Sequence, residues 1–407
     1  MMSLFAANSS VGGWGLPMKR CYGPECKVSR SVAQQVSTRF GRLGLCLSLV
    51  VFSTFASAQA IAQSSALAYP GADWERAKPE SEGYSSARLE ALRTWLKSQH
   101  TTAMLVSVHG KVIFEYGDLQ RVSIVASVRK SILAMLYGNY VFNGTIDLSK
   151  TVKELGLDDV QKFLPIEKNA TLEQLLTARS GIYMPSSENL DANAPRRGSQ
   201  RPGSYFFYNN WDFNAAGTAF EKLTRKDIYD ALESELAKPI GMQEFDRSRQ
   251  KKISSMPASV HPEYAMYLST RDMARLGVLM LRECSWKGKQ LEPRDWCRYI
   301  TRVITPFHEM NPPGLRALGR PDHWGYGALW WVWDAPVWPG NEYGSPFQGA
   351  YSAMGAGGQY ITVLPGLYMV IAHKVDIDQD PKAEVTNLEY DAILQMVIAS
   401  ACSGTCK

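Results

Sequence analysis

"IVASVRKSILAMLYGNY", Ile124 to Tyr140, decides how this chain is read. Its apolar residues Ile132, Leu133, Leu136 and Tyr140, continued by Val141, recur at helical spacing as one apolar face and predict a buried helix. Ser127 and Lys130 stand at its start, three residues apart, and so share a face of the first turn, while Arg129 points elsewhere. Such a hydroxyl either caps the helix or acts as a nucleophile with the amine as its base. The first N–H groups of a helix lack intrahelical partners and favour negative charge, so the Ser127 N–H is also suited to hold an oxyanion. Lowering a lysine from about 10.4 to 7–8 costs roughly 4 kcal/mol, which burial and a suitable partner can supply. Ser-x-x-Lys recurs at Ser248 to Lys251, but "DRSRQKK" is a charge run with no apolar helix behind it. That copy is predicted to be accidental.

Two distant segments supply what a serine–lysine pair needs. "PGSYFFYNNWDFNAAG" (202–217) carries Tyr208 and Asn210 just before a predicted helix. A phenol there can pass the serine proton to a leaving group, and an amide can hold both Lys130 and a substrate carbonyl. Upstream lies "PSSENLDANAPRRGSQRPGSY" (185–205), about twenty residues without period, and a loop of that length in a compact domain is usually functional or disordered. In "AMGAGGQYITV" (353–363), Ala356, Gly357 and Gly358 open a strand and let a substrate lie close. The backbone N–H of Gln359 is then the expected second oxyanion donor, worth about 3–4 kcal/mol in the transition state.

Ser-x-x-Lys, Tyr-x-Asn and a small-residue triad opening a strand, in that order, resemble the serine β-lactamase and penicillin-binding protein superfamily. "SVRKSIL", "TLEQLLTARSGI", "PGSYFFYNN", "YGALWW" and "GAGGQYITVLPG" are similar to its class C-related branch, which includes carboxylesterases, D-amino-acid peptidases and 6-aminohexanoate-dimer hydrolase. The likeness covers about 85–400. It implies a β-lactamase/transpeptidase-like fold, Ser127 as acylated nucleophile and Lys130 with Tyr208 as the proton-handling pair. It further implies Asn210, Gly357 and Gly358 as orienting groups and the Ser127 and Gln359 N–H groups as oxyanion hole, with no metal and no cofactor. One departure matters: Ala356 stands where the family commonly has Lys, His or Trp. This disfavours a substrate carboxylate unless Arg196, Arg197 or Arg201 of the long loop replaces that charge.

Charge and composition bound the rest. The 407 residues are 45% hydrophobic and 20% charged, ordinary for a globular chain, with a formal charge of +5. Residues 1–58 hold six of the 44 Lys/Arg and one of the 39 Asp/Glu, leaving 38 of each in 59–407. The body is neutral, and a nucleic-acid partner is excluded on that ground. The leader, 1–58, reads as a secretory signal: "RFGR", the 14-residue run "LGLCLSLVVFSTFA", then "ASA" before Gln59. The run is too short to span a bilayer, so no stable membrane span is expected after cleavage and the protein is expected to be secreted or periplasmic. Translation beginning at Met18 would shorten the leader. Four cysteines remain beyond it, with three possible pairings, of which Cys284–Cys297 and Cys402–Cys406 are preferred over free thiols.

The fold class follows from both ends of 59–407, read as a single domain. "SSARLEALRTWL" (85–96) is a helix capped by Ser85 or Ser86, followed by a hairpin around His109-Gly110. "GGQYITVLPGLYMVIAHKVD" (357–376) is a second hairpin turning at Pro365-Gly366, followed by the helix "LEYDAILQMVIASAC". This predicts an α/β (α+β) domain: one antiparallel sheet built from both termini, flanked by helices, with a mostly helical insertion at roughly 150–260. Trp330, Trp331 and Trp333 either wall a cleft or pack a strand on helices, and Tyr205, Phe206 and Phe207 divide similarly. His373 reads as a satisfied strand residue.

The reading is an exported serine hydrolase acting on a small ester, amide or peptide-like substrate through a Ser127 acyl-enzyme. The alternatives are a β-lactamase or D,D-peptidase, and a catalytically inactive relative that binds cell-wall peptides or a protein partner.

Overall fold

The computed structural model describes residues 68–188, 193–311, 324–334, 346–404 and 406, and Ser64–Lys407 forms one compact unit. The leader, and with it the signal reading, lies outside the described residues. Helix α1 (Ser86–Leu96) is capped by Ser85, whose side chain accepts from Arg88 N, and it buries Leu89, Leu92 and Leu96. Strands β1 (Ala103–Val108) and β2 (Lys111–Gly117) form the first hairpin. His109 and Gly110 turn it with positive φ of 51° and 83°, the twist that matches a two-residue hairpin.

Three long helices follow, with shorter ones between them: α2 (Val128–Phe142), α3 (Asn210–Thr224) and α4 (Thr270–Leu281). The other strands of the large sheet are β3 (Trp324–Tyr326), β4 (Trp331–Trp333), β5 (Tyr351–Gly355), β6 (Gln359–Leu364) and β7 (Met369–Lys374), and helix α5 (Asn387–Ala399) comes last. The seven strands form one antiparallel sheet in the order β2-β1-β7-β6-β5-β4-β3. Register pairs Ala103 with Lys374 and Val108 with Met369, so the two ends of the chain meet strand to strand. Helices α1 and α5 lie against each other, and Arg88 donates to the carbonyls of Ala399 and Ala401. Helix α4 packs on β6 and β7, where Gly277 approaches so closely that a Cβ would meet Val370 Cγ1 at 2.4 Å. The mixed α/β architecture expected from the sequence holds.

The buried helix expected from the sequence is found: α2 is buried on all sides from Val128 to Gly138, between α3 and the sheet. The insertion also holds a hairpin that its polar sequence conceals, Lys251–Ser255 with Ser259–Ala265, whose first strand is mostly exposed. Thr171 and Gln174 form the expected capping box of a short helix, Leu172–Leu176. The preferred cysteine pairs are both bonded, Cys284–Cys297 and Cys402–Cys406. Among the described residues no helix is long and apolar enough to cross a membrane.

His373, fully buried on β7, has both ring nitrogens engaged: Nδ1 lies 2.7 Å from Gly358 O and Nε2 lies 2.9 Å from Thr101 Oγ1. A carbonyl only accepts, so Nδ1 carries the proton and Nε2 accepts from the threonine. Burial pulls its pKa down to about 4. Between that value and 6.5 the unfolded chain binds a proton that the folded one refuses. Stability linked to His373 is therefore present above pH 6.5 and lost as pH falls toward 4, by about 3 kcal/mol. Urea unfolding from pH 7 to 4 should show this loss, and His373→Gln should flatten that part of the slope.

Candidate active site

Ser127 is the N-cap residue of α2, yet its side chain makes no capping hydrogen bond. The hydroxyl is turned to Lys130 instead. Ala126, just before it, sits at φ 46°, a left-handed conformation that non-glycine residues adopt at a cost and that recurs at functional sites. Lys130 is 2% exposed, and its Nζ lies 2.7 Å from Ser127 Oγ, 2.8 Å from Tyr208 Oη and 2.6 Å from Asn210 Oδ1. The rings of Tyr208 and Phe213 flank it at 4.5 and 4.8 Å. No carboxylate among the described residues pairs with it directly. Burial, reinforced by the neighbouring Arg129 charge, holds its pKa well below the ordinary lysine value, against the opposing pull of Glu188 and Glu263. A neutral amine has two N–H bonds and one lone pair. One of the three contacts must then run the other way, with an O–H donating to nitrogen, which is the geometry of a base poised to take the serine proton.

The residue between Tyr208 and Asn210 explains how they are held. Asn209 caps α3, its Oδ1 accepting from Trp211 N at 3.2 Å, while its Nδ2 donates to Ile182 O at 2.7 Å. The chain is thus pinned where α3 begins, with Tyr208 and Asn210 on either side of the pin. Trp331 stacks on the Tyr208 ring at 5.5 Å between centroids and 25° between planes. Trp330, its neighbour on the opposite face, turns into the core against Tyr351, and Trp333 stacks on Phe347 at 4.4 Å. Of the three tryptophans, Trp331 touches the site. Phe206 and Phe207 are core residues.

The glycine-rich turn departs from the expected arrangement. The residue that meets Ser127 is Gly355, at the end of β5: a Cβ there would lie 3.1 Å from Ser127 N and 2.6 Å from Val125 O. Gly357 and Gly358, at φ 77° and 107°, face the other way, where added Cβ atoms would meet Ile377 at 2.7 Å and Val375 at 2.8 Å. Their missing side chains make room for the chain itself, not for a substrate. Gln359 pairs with Gly355 across the hairpin on the inner strand β6, with its side chain fully buried and Nε2 donating to Val375 O. Gly358 N donates to Gly355 O at 3.4 Å, so that carbonyl faces the hairpin. In a trans peptide the N–H points opposite the C=O, which turns the Ala356 N–H outward, beyond the two residues of β5 that β4 covers. The N–H turned away from the hairpin is therefore that of Ala356, whereas Gln359, the expected donor, lies on the inner strand. Only the glycine spacing "GAGG" hinted at this, and it offers three choices.

The loop arginines also separate. Arg197 is committed to the scaffold, donating to both oxygens of buried Glu167 and to Gln161 Oε1, while Arg196 and Arg201 are exposed. Ser248, of the second Ser-x-x-Lys, bonds Asp246 on the surface, as its charge run implied.

A sequence model of the Beta-lactamase family matches residues 93–394. The chain belongs to the beta-lactamase family. Solved structures with the same fold include a Bacillus anthracis protein that bears the provisional name 6-aminohexanoate-dimer hydrolase. It is 20% identical, with 81% of this chain and 87% of that one covered and a TM-score of 0.57. A beta-lactamase from Mycobacterium bovis is 18% identical, covering 77% and 100%, with a TM-score of 0.52. EstCE1, described as a hydrolase with promiscuous acyltransferase activity, is 11% identical, covering 79% and 99%, with a TM-score of 0.54. This member of the beta-lactamase family shares their fold.

Gly355→Ala should cut turnover at least about tenfold, since its methyl meets backbone at Ser127 rather than a movable side chain. Gly366→Ala, which has open space around it, should leave turnover near wild type. Steady-state kinetics of the two variants, with circular dichroism to confirm folding, checks this.

Proposed function

We propose that this protein is an exported serine hydrolase that cleaves an ester or amide bond through an acyl-enzyme on Ser127. The observation that carries the reading is the contact of one buried amine with Ser127 Oγ, Tyr208 Oη and Asn210 Oδ1 together, with burial favouring its neutral form. In this mechanism Ser127 Oγ attacks the acyl carbon as its proton passes to the Lys130–Tyr208 pair. The carbonyl oxygen becomes an oxyanion against the Ser127 and Ala356 N–H groups. Collapse expels the alcohol or amine, which receives that proton, and water then releases the acid and restores the serine. Membership of the beta-lactamase family supports the hydrolase class. The disulfides Cys284–Cys297 and Cys402–Cys406 support an oxidising compartment and hence export.

The substrate class rests on what surrounds Gly355. Ala353 and Met354 before it and Ala356 after it carry no charge, and Arg197 is held by Glu167. That favours a neutral or apolar acyl group, in the manner of a class C-related esterase or amidase, over a β-lactam or D,D-peptide bearing a carboxylate. A non-catalytic binding relative has no use for a desolvated lysine, whose burial costs several kcal/mol.

Intact-mass analysis after a fluorophosphonate probe should show one adduct that Ser127→Ala abolishes. Folded protein that stays unlabelled would point to the binding relative. Turnover of p-nitrophenyl esters should exceed that of nitrocefin, and the reverse order would favour the β-lactamase.

A further inference from the structure

Lys130 has a charged neighbour that the mechanism above does not use. Arg129 is 1% exposed, and its guanidinium is gripped from three directions. Nη2 donates to Glu188 Oε1 at 2.6 Å and to Asn214 Oδ1 at 3.1 Å, and Nε lies 3.3 Å from Glu263 Oε1. Asn214 Nδ2 in turn donates to Glu188 Oε2 at 2.8 Å, closing a ring, and Arg129 lies over the Tyr264 ring at 4.3 Å. Asn210 and Asn214 are one turn apart on α3. They hold Lys130 and Arg129, consecutive on α2, in two adjoining clusters.

Three elements converge on Arg129. Glu188 belongs to the long loop, Asn214 to α3, and Glu263 to the hairpin of the insertion. An arginine stays charged at any pH the protein meets, so it places a permanent cation beside an amine that must be free of its proton. Two carboxylates without that cation would do the opposite and draw a proton onto Lys130.

We propose that Arg129 is a positioning residue whose fixed charge, balanced by Glu188 and Glu263, keeps the Lys130 amine available as a proton acceptor. This rests on the serine-hydrolase reading. The ionisable groups bearing on Lys130 are Arg129 on its own helix, Tyr208 before α3, Glu188 from the loop and Glu263 from the hairpin. Asp212, two residues beyond Asn210, is turned to the Ser180 hydroxyl at 2.6 Å instead. The sign of each effect follows. Removing Arg129's charge leaves two carboxylates that favour the ammonium, so activity appears only at higher pH. Removing either carboxylate leaves the arginine opposed by only one, so activity extends to lower pH.

The test is the pH profile of fluorophosphonate labelling of Ser127 in wild type, Arg129→Met, Glu188→Gln and Glu263→Gln. At a pH on the acid limb, each glutamine variant should label roughly threefold or more faster than wild type and Arg129→Met slower by as much, with the differences shrinking on the plateau. If Arg129→Met does not fold, the two glutamine variants carry the test alone. Rates lowered by one factor at every pH, with the limb unmoved, would make the cluster a structural clasp and overturn the proposal. Wild type that never labels would sink the hydrolase reading itself, a result distinct from labelling with unmoved limbs.

Discussion

The desolvated amine of Lys130 is the constraint on which the rest of this structure depends. An ammonium taken out of water without a paired carboxylate costs many kcal/mol, and a protein avoids most of that by letting the group lose its proton. The fold arranges this at the start of α2, where the sheet lies on one side and α3 on the other. Nζ is then met by three groups that can hydrogen-bond without fixing a charge there: a serine, a phenol and an amide oxygen. Two aromatic rings flank it as well.

That arrangement needs elements far apart in the chain, and each is held by ordinary structural chemistry. Asn209 pins Tyr208 and Asn210 by capping α3 and binding Ile182. Gly355 admits β5 to contact with the Ser127 amide because a side chain there would strike backbone. His373 reaches across from β7 to the Gly358 carbonyl, holding the β5–β6 turn from behind with a ring that burial keeps uncharged at neutral pH. The hairpins from the two ends of the chain pair through β1 and β7, which fixes the sheet that α2 leans on.

The parts of the site that were legible in the sequence are those written locally. Ser127 and Lys130 share a helical face, and Tyr208 and Asn210 flank a cap; both patterns survive translation from text to coordinates without knowledge of the rest. What was not legible depended on contacts distant in the chain. Which of three neighbouring glycines meets Ser127 is decided by hairpin register and by the packing of 375–385, neither visible in "GAGG". Arg129 could be read only as pointing away from Ser127 and Lys130, because nothing near it in sequence announces Glu188, Asn214 or Glu263. The hairpin bearing Glu263 was hidden for a related reason: its first strand faces solvent and carries no apolar alternation.

The whole chemical account stands on the protonation state of one side chain. Selective isotopic labelling of lysine, with the Lys130 resonance assigned by a Lys130→Arg variant, allows its amine to be titrated by NMR in the folded protein. The amine should lose its proton well below the ordinary lysine value of about 10.4. An ammonium at Lys130 that persists up to that value would contradict the account, because no base would then stand beside Ser127.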